Sequence, residues 1–90
     1  MATVRFFATI RQLTGQKETS LRSDTVQELL QALAEKHGVG FQKAVYGPGG
    51  LSDEAIILIN GRHLEHLPAG LKTKLENEDV VAIFPLVGGG

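Results

Sequence analysis

Ninety residues make a single domain, read as residues 1–90 with no second unit, and a chain this short holds one core without a deep internal cavity. The net charge of -1, with both signs mixed along the chain, excludes the clustered basic face of a nucleic-acid binder. Cysteine is absent, which excludes a disulfide framework, a thiol nucleophile and a zinc–thiolate site; with no signal-like N-terminus and no long apolar run, the expected setting is the cytoplasm.

The first element is a strand over Thr3 to Ile10. Val4, Phe6, Ala8 and Ile10 alternate with Thr3, Arg5, Phe7 and Thr9, a period of two. Phe7 is a large apolar residue on the otherwise polar face. Lys17 to Leu21 reads as a second strand, and the loop near Thr14-Gly15 makes the two a hairpin. An amphipathic helix follows from Val26 to His37, with Val26, Leu29, Leu30 and Leu33 on one stripe. Asp24 or Thr25 caps it, Gln27 or Glu28 completes a capping box, and Gly38 stops it. Val39 to Glu54 is the least regular stretch, with a helical turn expected in FQKAVY and a flexible loop at Gly47 to Gly50.

Ala55 to Ile59 is a continuous β-branched run, the mark of a central strand. Asn60-Gly61 is a type I′ hairpin signal, because both turn positions need positive φ. Arg62 to Leu64 is the short return strand. Leu67 to Asp79 is a connection anchored by Leu67, Leu71 and Leu75, and Val80 to Phe84 is the last strand. Pro85, having no N–H, is expected to end its pairing and to open a flexible tail over residues 85–90. Terminal strands that are both apolar enough to be central, with one helix to cover them, imply a two-layer α+β fold. It is a mixed sheet of about five strands with one main helix across it and the first and last strands parallel at its middle, the β-grasp or ubiquitin-like topology.

Conventional chemistry is thin in this chain. His37, His63 and His66 sit at a helix end and in a turn and read as structural or surface residues, so no metal site is assigned. The glycine-rich GPGG lacks the Gly-Lys-Ser/Thr ending of a phosphate loop. A self-contained active site is not expected. The last strand points in two directions: Val81 and Ile83 inward with Val4 and Phe6, and Val80, Ala82 and Phe84 outward with Phe7. Phe7, Ala82 and Phe84 therefore share an exposed patch, the usual mark of a contact surface. Immediately beyond it the chain ends in Gly88, Gly89 and Gly90, the thinnest peptide available. That tail fits a narrow channel in a partner and carries one reactive group, the carboxylate of Gly90.

VRFFATIRQLTG, INGRHLEHLPAGLKTKL and EDVVAIFPLVGGG together resemble the MoaD/ThiS family of ubiquitin-like sulfur carriers, and the resemblance runs over nearly the whole chain, closest to the MoaD type. It places the family's outward phenylalanine on Phe84 and its terminal diglycine on Gly89-Gly90, with Leu86 in place of a second proline and Gly88 in place of another small residue. The resemblance implies that a ubiquitin-activating-type adenylyltransferase, using ATP and magnesium, adenylylates Gly90. Sulfur transfer then converts the end to a thiocarboxylate. It also implies docking through Phe7, Ala82, Phe84, Pro85, Leu86 and Val87, and a role as the non-catalytic small subunit of molybdopterin synthase, with the catalytic residues on the large subunit. The alternatives that the same chemistry leaves open are sulfur delivery to cysteine, thiamine or transfer-RNA thiolation, and conjugation to protein lysines.

Overall fold

The computed structural model describes residues 1–86. A five-stranded mixed sheet has the order β2-β1-β7-β5-β6. Its strands are β1 (Ala2–Phe6), β2 (Glu18–Leu21), β5 (Ala55–Ile59), β6 (Arg62–His63) and β7 (Val80–Pro85). β1 and β7 run parallel at the centre, Val4 opposite Val81 and Phe6 opposite Ile83, and β5 closes antiparallel on the other side of β7. This is the β-grasp arrangement expected from the sequence.

The main helix, α2 (Val26–His37), buries Val26, Leu29, Leu30 and Leu33 against the sheet. Of the two capping candidates, Thr25 is the one used: its Oγ1 accepts from the Glu28 N–H at 3.2 Å. Glu28 Oε2 in turn accepts from the Asp24 N–H at 3.0 Å, a capping box whose return bond reaches one residue further out. The start of α2 is also tied to the long connection, since Thr73 O accepts from Val26 N–H and Asp24 O from Leu75 N–H. Leu67, Leu71 and Leu75 pack against the core as the three anchors expected there.

The structure corrects the N-terminal reading. β1 ends at Phe6, and Ala8–Thr14 forms a helix, α1, inside what reads as a plain hairpin. The period of two misleads because Ile10 is equally a helical core position, and it is 1% exposed on α1. Gly15, taken as a hairpin loop residue, is the left-handed cap of α1, φ 71°, donating to Arg11 O at 2.8 Å. The reversal from strand to helix occurs at Ala8, whose φ of 51° is left-handed. An alanine held there costs about 1 kcal/mol, so Ala8→Gly should raise the urea midpoint slightly rather than lower it.

The stretch expected to be least regular is ordered as well. α3 (Val39–Val45) buries Phe41 and Val45, and β3 (Tyr46–Gly47) and β4 (Gly50–Leu51) pair across the Pro48-Gly49 turn. Gly38 starts α3 directly after α2, with φ 87°. Asn60 and Gly61 adopt φ of 51° and 86°, as a type I′ turn requires. The Asn60 side chain does more: its Oδ1 accepts from Val80 N–H at 2.8 Å and its Nδ2 donates to Asp79 at 2.9 Å, so the β5–β6 turn also fixes where β7 begins.

His37 closes α2 with its ring edge-on to Phe6 and tilted against Phe41, centroids 6.0 and 5.9 Å away. Its Nε2 is buried without a hydrogen-bond partner among the described residues. Burial, with the neighbouring Lys36 charge, lowers its pKa from the ordinary 6.5. The folded state thus favours the neutral ring, and this contribution is complete above about pH 6.5 and is lost as pH falls from there through the lowered value. Urea midpoints should fall on mild acidification, and His37→Gln should reduce that dependence.

Candidate functional site

The sheet has two faces, and only one is covered by helices. Along β1 and β7 the buried residues alternate with a second set: Val4, Phe6, Val81 and Ile83 are fully buried, whereas Arg5, Val80, Ala82 and Phe84 point the other way. Pairing extends this outward row across the sheet, since Ile56 lies opposite Phe84 and Leu58 opposite Ala82. Residues directly opposite in a ladder share a face. The open face therefore carries Phe84, Ala82, Ile56 and Leu58 in adjacent positions, each partly exposed.

Phe7 joins them from outside the strand. Sitting between β1 and α1, it donates its N–H to Ile83 O at 3.2 Å and lays its ring on Phe84, centroids 4.2 Å apart and planes 7° from parallel. The Arg5 guanidinium lies 5.6 Å from the Phe7 centroid on the same face. Guanidinium and two rings thus make one preorganised surface, the kind of amphipathic, low-entropy platform that contact faces use. The sequence-predicted patch residues Phe7, Ala82 and Phe84 come together in space. Ile56 and Leu58 were missed. Their run, AIILI, is apolar at every position, so alternation carries no facing signal; only the register against β7 assigns it.

Pro85 differs from its expected role. It is the last residue of β7, opposite Ala55, and Leu86 N–H donates to Glu54 O at 2.6 Å. Proline's missing N–H is no obstacle where its partner does not require it, so the chain stays on the sheet through Leu86, whose side chain is 50% exposed beside the patch. Val87, Gly88, Gly89 and Gly90, read as the tail that reaches a partner, lie outside the described residues. Elsewhere, on the helical side, a cleft of about 370 Å³ between α2 and α3 is lined mainly by Gln27, Gln31, Glu35, Gln42 and Tyr46. It lies on the side of the sheet away from the patch.

A parallel pair of terminal strands at the centre of a mixed sheet, with the main helix packed across one face, defines the ubiquitin-like β-grasp class. The chain belongs to the ThiS family, which it matches over residues 4–90. It is 37% identical to small archaeal modifier protein 3 of Haloferax volcanii, over 97% of this chain and 96% of that one. Among solved structures it is similar to small archaeal modifier protein 1 of Methanosarcina acetivorans, with a TM-score of 0.85, 32% identity and coverage of 99% and 95% of the two chains. It is also similar to a Pyrococcus furiosus protein provisionally described as molybdopterin converting factor, subunit 1, with a TM-score of 0.72, 31% identity and coverage of 96% and 97%.

Proposed function

We propose that this chain is a carrier whose reactive group is its own C-terminal carboxylate, and that the Phe7–Phe84 platform docks it on the enzymes that charge and discharge that group. The observation that carries the proposal is the position of the platform: its Phe84 lies on the very strand that leads into the Gly-Gly end. A free carboxylate is a poor electrophile. In the proposed cycle an adenylyltransferase lets the Gly90 carboxylate attack the α-phosphorus of ATP, with magnesium, releasing pyrophosphate. A persulfide on a donor cysteine then displaces AMP to give an acyl disulfide, and a thiol of the donor system attacks the donor's sulfur, breaking the S–S bond to leave the thiocarboxylate and a disulfide on the donor. The exposed patch supplies affinity that the glycines lack, since ordering each backbone residue costs about 1–2 kcal/mol.

For the acceptor we favour a pterin precursor, with this chain as the small subunit of molybdopterin synthase. The support is the resemblance of its second half and C-terminus to the MoaD type and the likeness to the Pyrococcus furiosus protein. A second reading, conjugation of Gly90 to lysines of other proteins, draws on the name of the Haloferax volcanii relative. One experiment tests the shared chemistry: incubation of the chain with its adenylyltransferase, ATP and a sulfur donor, followed by intact mass spectrometry. The expected product is heavier by the replacement of one oxygen with sulfur, and its absence refutes the carrier reading. Adducts to lysine that survive thiol reductants favour the modifier reading, and sulfur appearing in a pterin favours the synthase.

The platform has its own test. Phe84→Lys changes a partly exposed residue and should leave the melting temperature nearly unchanged. Binding to the adenylyltransferase should weaken by about 2 kcal/mol or more, the loss typical of a central aromatic contact. Titration calorimetry checks the affinity, and an unchanged value would remove Phe84 from the interface.

A further inference from the structure

The outer edge of β2 carries a self-complementary pattern. Among the described residues no strand lies beyond β2 in the sheet. The direction of its main-chain groups follows from its partner. Thr3 and Phe7 N–H donate towards β7, to Asp79 O and Ile83 O, whereas Phe6 N–H donates to Lys17 O. Lys17, Thr19 and Leu21 therefore face β1 with their main-chain groups, and Glu18 and Ser20 turn theirs to the free edge, with Arg22 two residues beyond Ser20, just past the end of the strand. The side chains of Glu18, Ser20 and Arg22 are exposed.

We propose that this edge pairs with the β2 edge of a second copy of the chain, antiparallel about a two-fold axis at Ser20. The two-fold registers with the right hydrogen-bond phase centre on residues 18 to 22: those centred on Glu18 or Arg22 set like charges face to face, the one on Leu21 sets Glu18 opposite Asp24, and the one on Thr19 sets Glu18 opposite the uncharged Ser20. The register centred on Ser20 places Glu18 of each copy opposite Arg22 of the other, so that the two Ser20 residues exchange main-chain bonds and both flanking pairs are of opposite charge. On the helical side the half-buried Leu21 meets Thr19 of the other copy, which extends the apolar contact beneath the seam. Among the described residues, Glu18 is otherwise engaged only by Arg5 at 4.0 Å, an exposed and weak pair. A short edge buries little area, below the roughly 1,200 Å² that marks transient interfaces, so the dimer exchanges with monomer. The two platforms lie on one side of the joined sheet and stay accessible, which leaves this inference independent of the carrier chemistry.

Sedimentation velocity of the full chain, from low micromolar to near-millimolar concentration, should show a dimer that grows with concentration. Arg22→Glu and Glu18→Arg should each lower the association constant by about tenfold, and the double reversal should restore it to within about threefold, because the pairing then has its charges exchanged. The chain has no cysteine, so S20C introduces the only thiol. At a hydrogen-bonded two-fold pair its Cα atoms lie about 5.5 Å apart, within disulfide reach. S20C should therefore oxidise to a covalent dimer faster than a Gln31→Cys control on the exposed side of α2. A chain that is monomeric at every concentration, a dimer indifferent to both single reversals, a double reversal that does not restore association, or S20C crosslinking no faster than the control would each overturn the proposal.

Discussion

Deletion of Gly89 and Gly90 should abolish formation of the adenylate and the thiocarboxylate while leaving thermal stability unchanged. The described ladder contacts of β7 end at Pro85, and the last described main-chain bond on that side is Leu86 to Glu54, so the deletion leaves all of these in place. Their loss moves the terminal carboxylate back two positions, which in the proposed cycle takes it out of reach of the adenylyltransferase. Pyrophosphate release measured with the adenylyltransferase should fall to the background of the enzyme alone. Gly90→Ala is the finer probe: it keeps the length and adds one methyl group, so a sharp loss identifies a channel sized for glycine. If the truncated chain is still adenylylated, Gly90 is not the reacting residue and the proposed cycle fails.

Phe6→Ala should be the most damaging single change to the fold. Phe6 is fully buried at the end of β1, edge-on to Phe41 of α3 at 6.4 Å and to His37 of α2 at 6.0 Å. It is thus the side chain through which the central strand β1, the main helix α2 and α3 meet. Removing the ring in such a site costs about 3–5 kcal/mol, lost transfer energy plus an unfilled cavity. A domain of this size has on the order of 5–13 kcal/mol in all, so up to half or more of its stability is at stake. Chemical denaturation should show a large fall in midpoint, and a shift of less than about 1 kcal/mol would contradict the burial described here. Phe7→Ala, one residue on, should cost far less, because that ring lies on the open face against Phe84 rather than in the core. The contrast between adjacent phenylalanines is a direct test of which way each points.

That contrast also marks how much was legible in the chain itself. α2, the Asn60-Gly61 turn and the inward set Val4, Phe6, Val81 and Ile83 follow from local rules: a 3.6-residue stripe with a cap, a turn that demands positive φ, and a period of two. The patch residues Phe7, Ala82 and Phe84 were within reach for the same reason. α1 was not, because Ala8 and Ile10 satisfy a period of two as well as they satisfy a helix, and the reversal at Ala8 uses a backbone conformation that alanine rarely adopts. α3 was not, because its short segment has too few turns for a periodicity to stand out and is held by packing of Phe41 and Val45 against the core.

By itself, then, the order of residues determines the alternation of the central strands, the main helix with its cap and the Asn-Gly turn. All of these are local properties, set by side-chain periodicity and backbone sterics. Tertiary structure decided three things that no local rule reaches. It assigned Ile56 and Leu58 to the open face, because a uniformly apolar strand takes its facing from its partner. It kept Pro85 and Leu86 on the sheet, because a proline is tolerated wherever the neighbouring strand does not call on its N–H. And it stacked Phe7 on Phe84, residues 7 and 84 of the chain, because the parallel pairing of β1 with β7 brings the two ends of the sequence side by side.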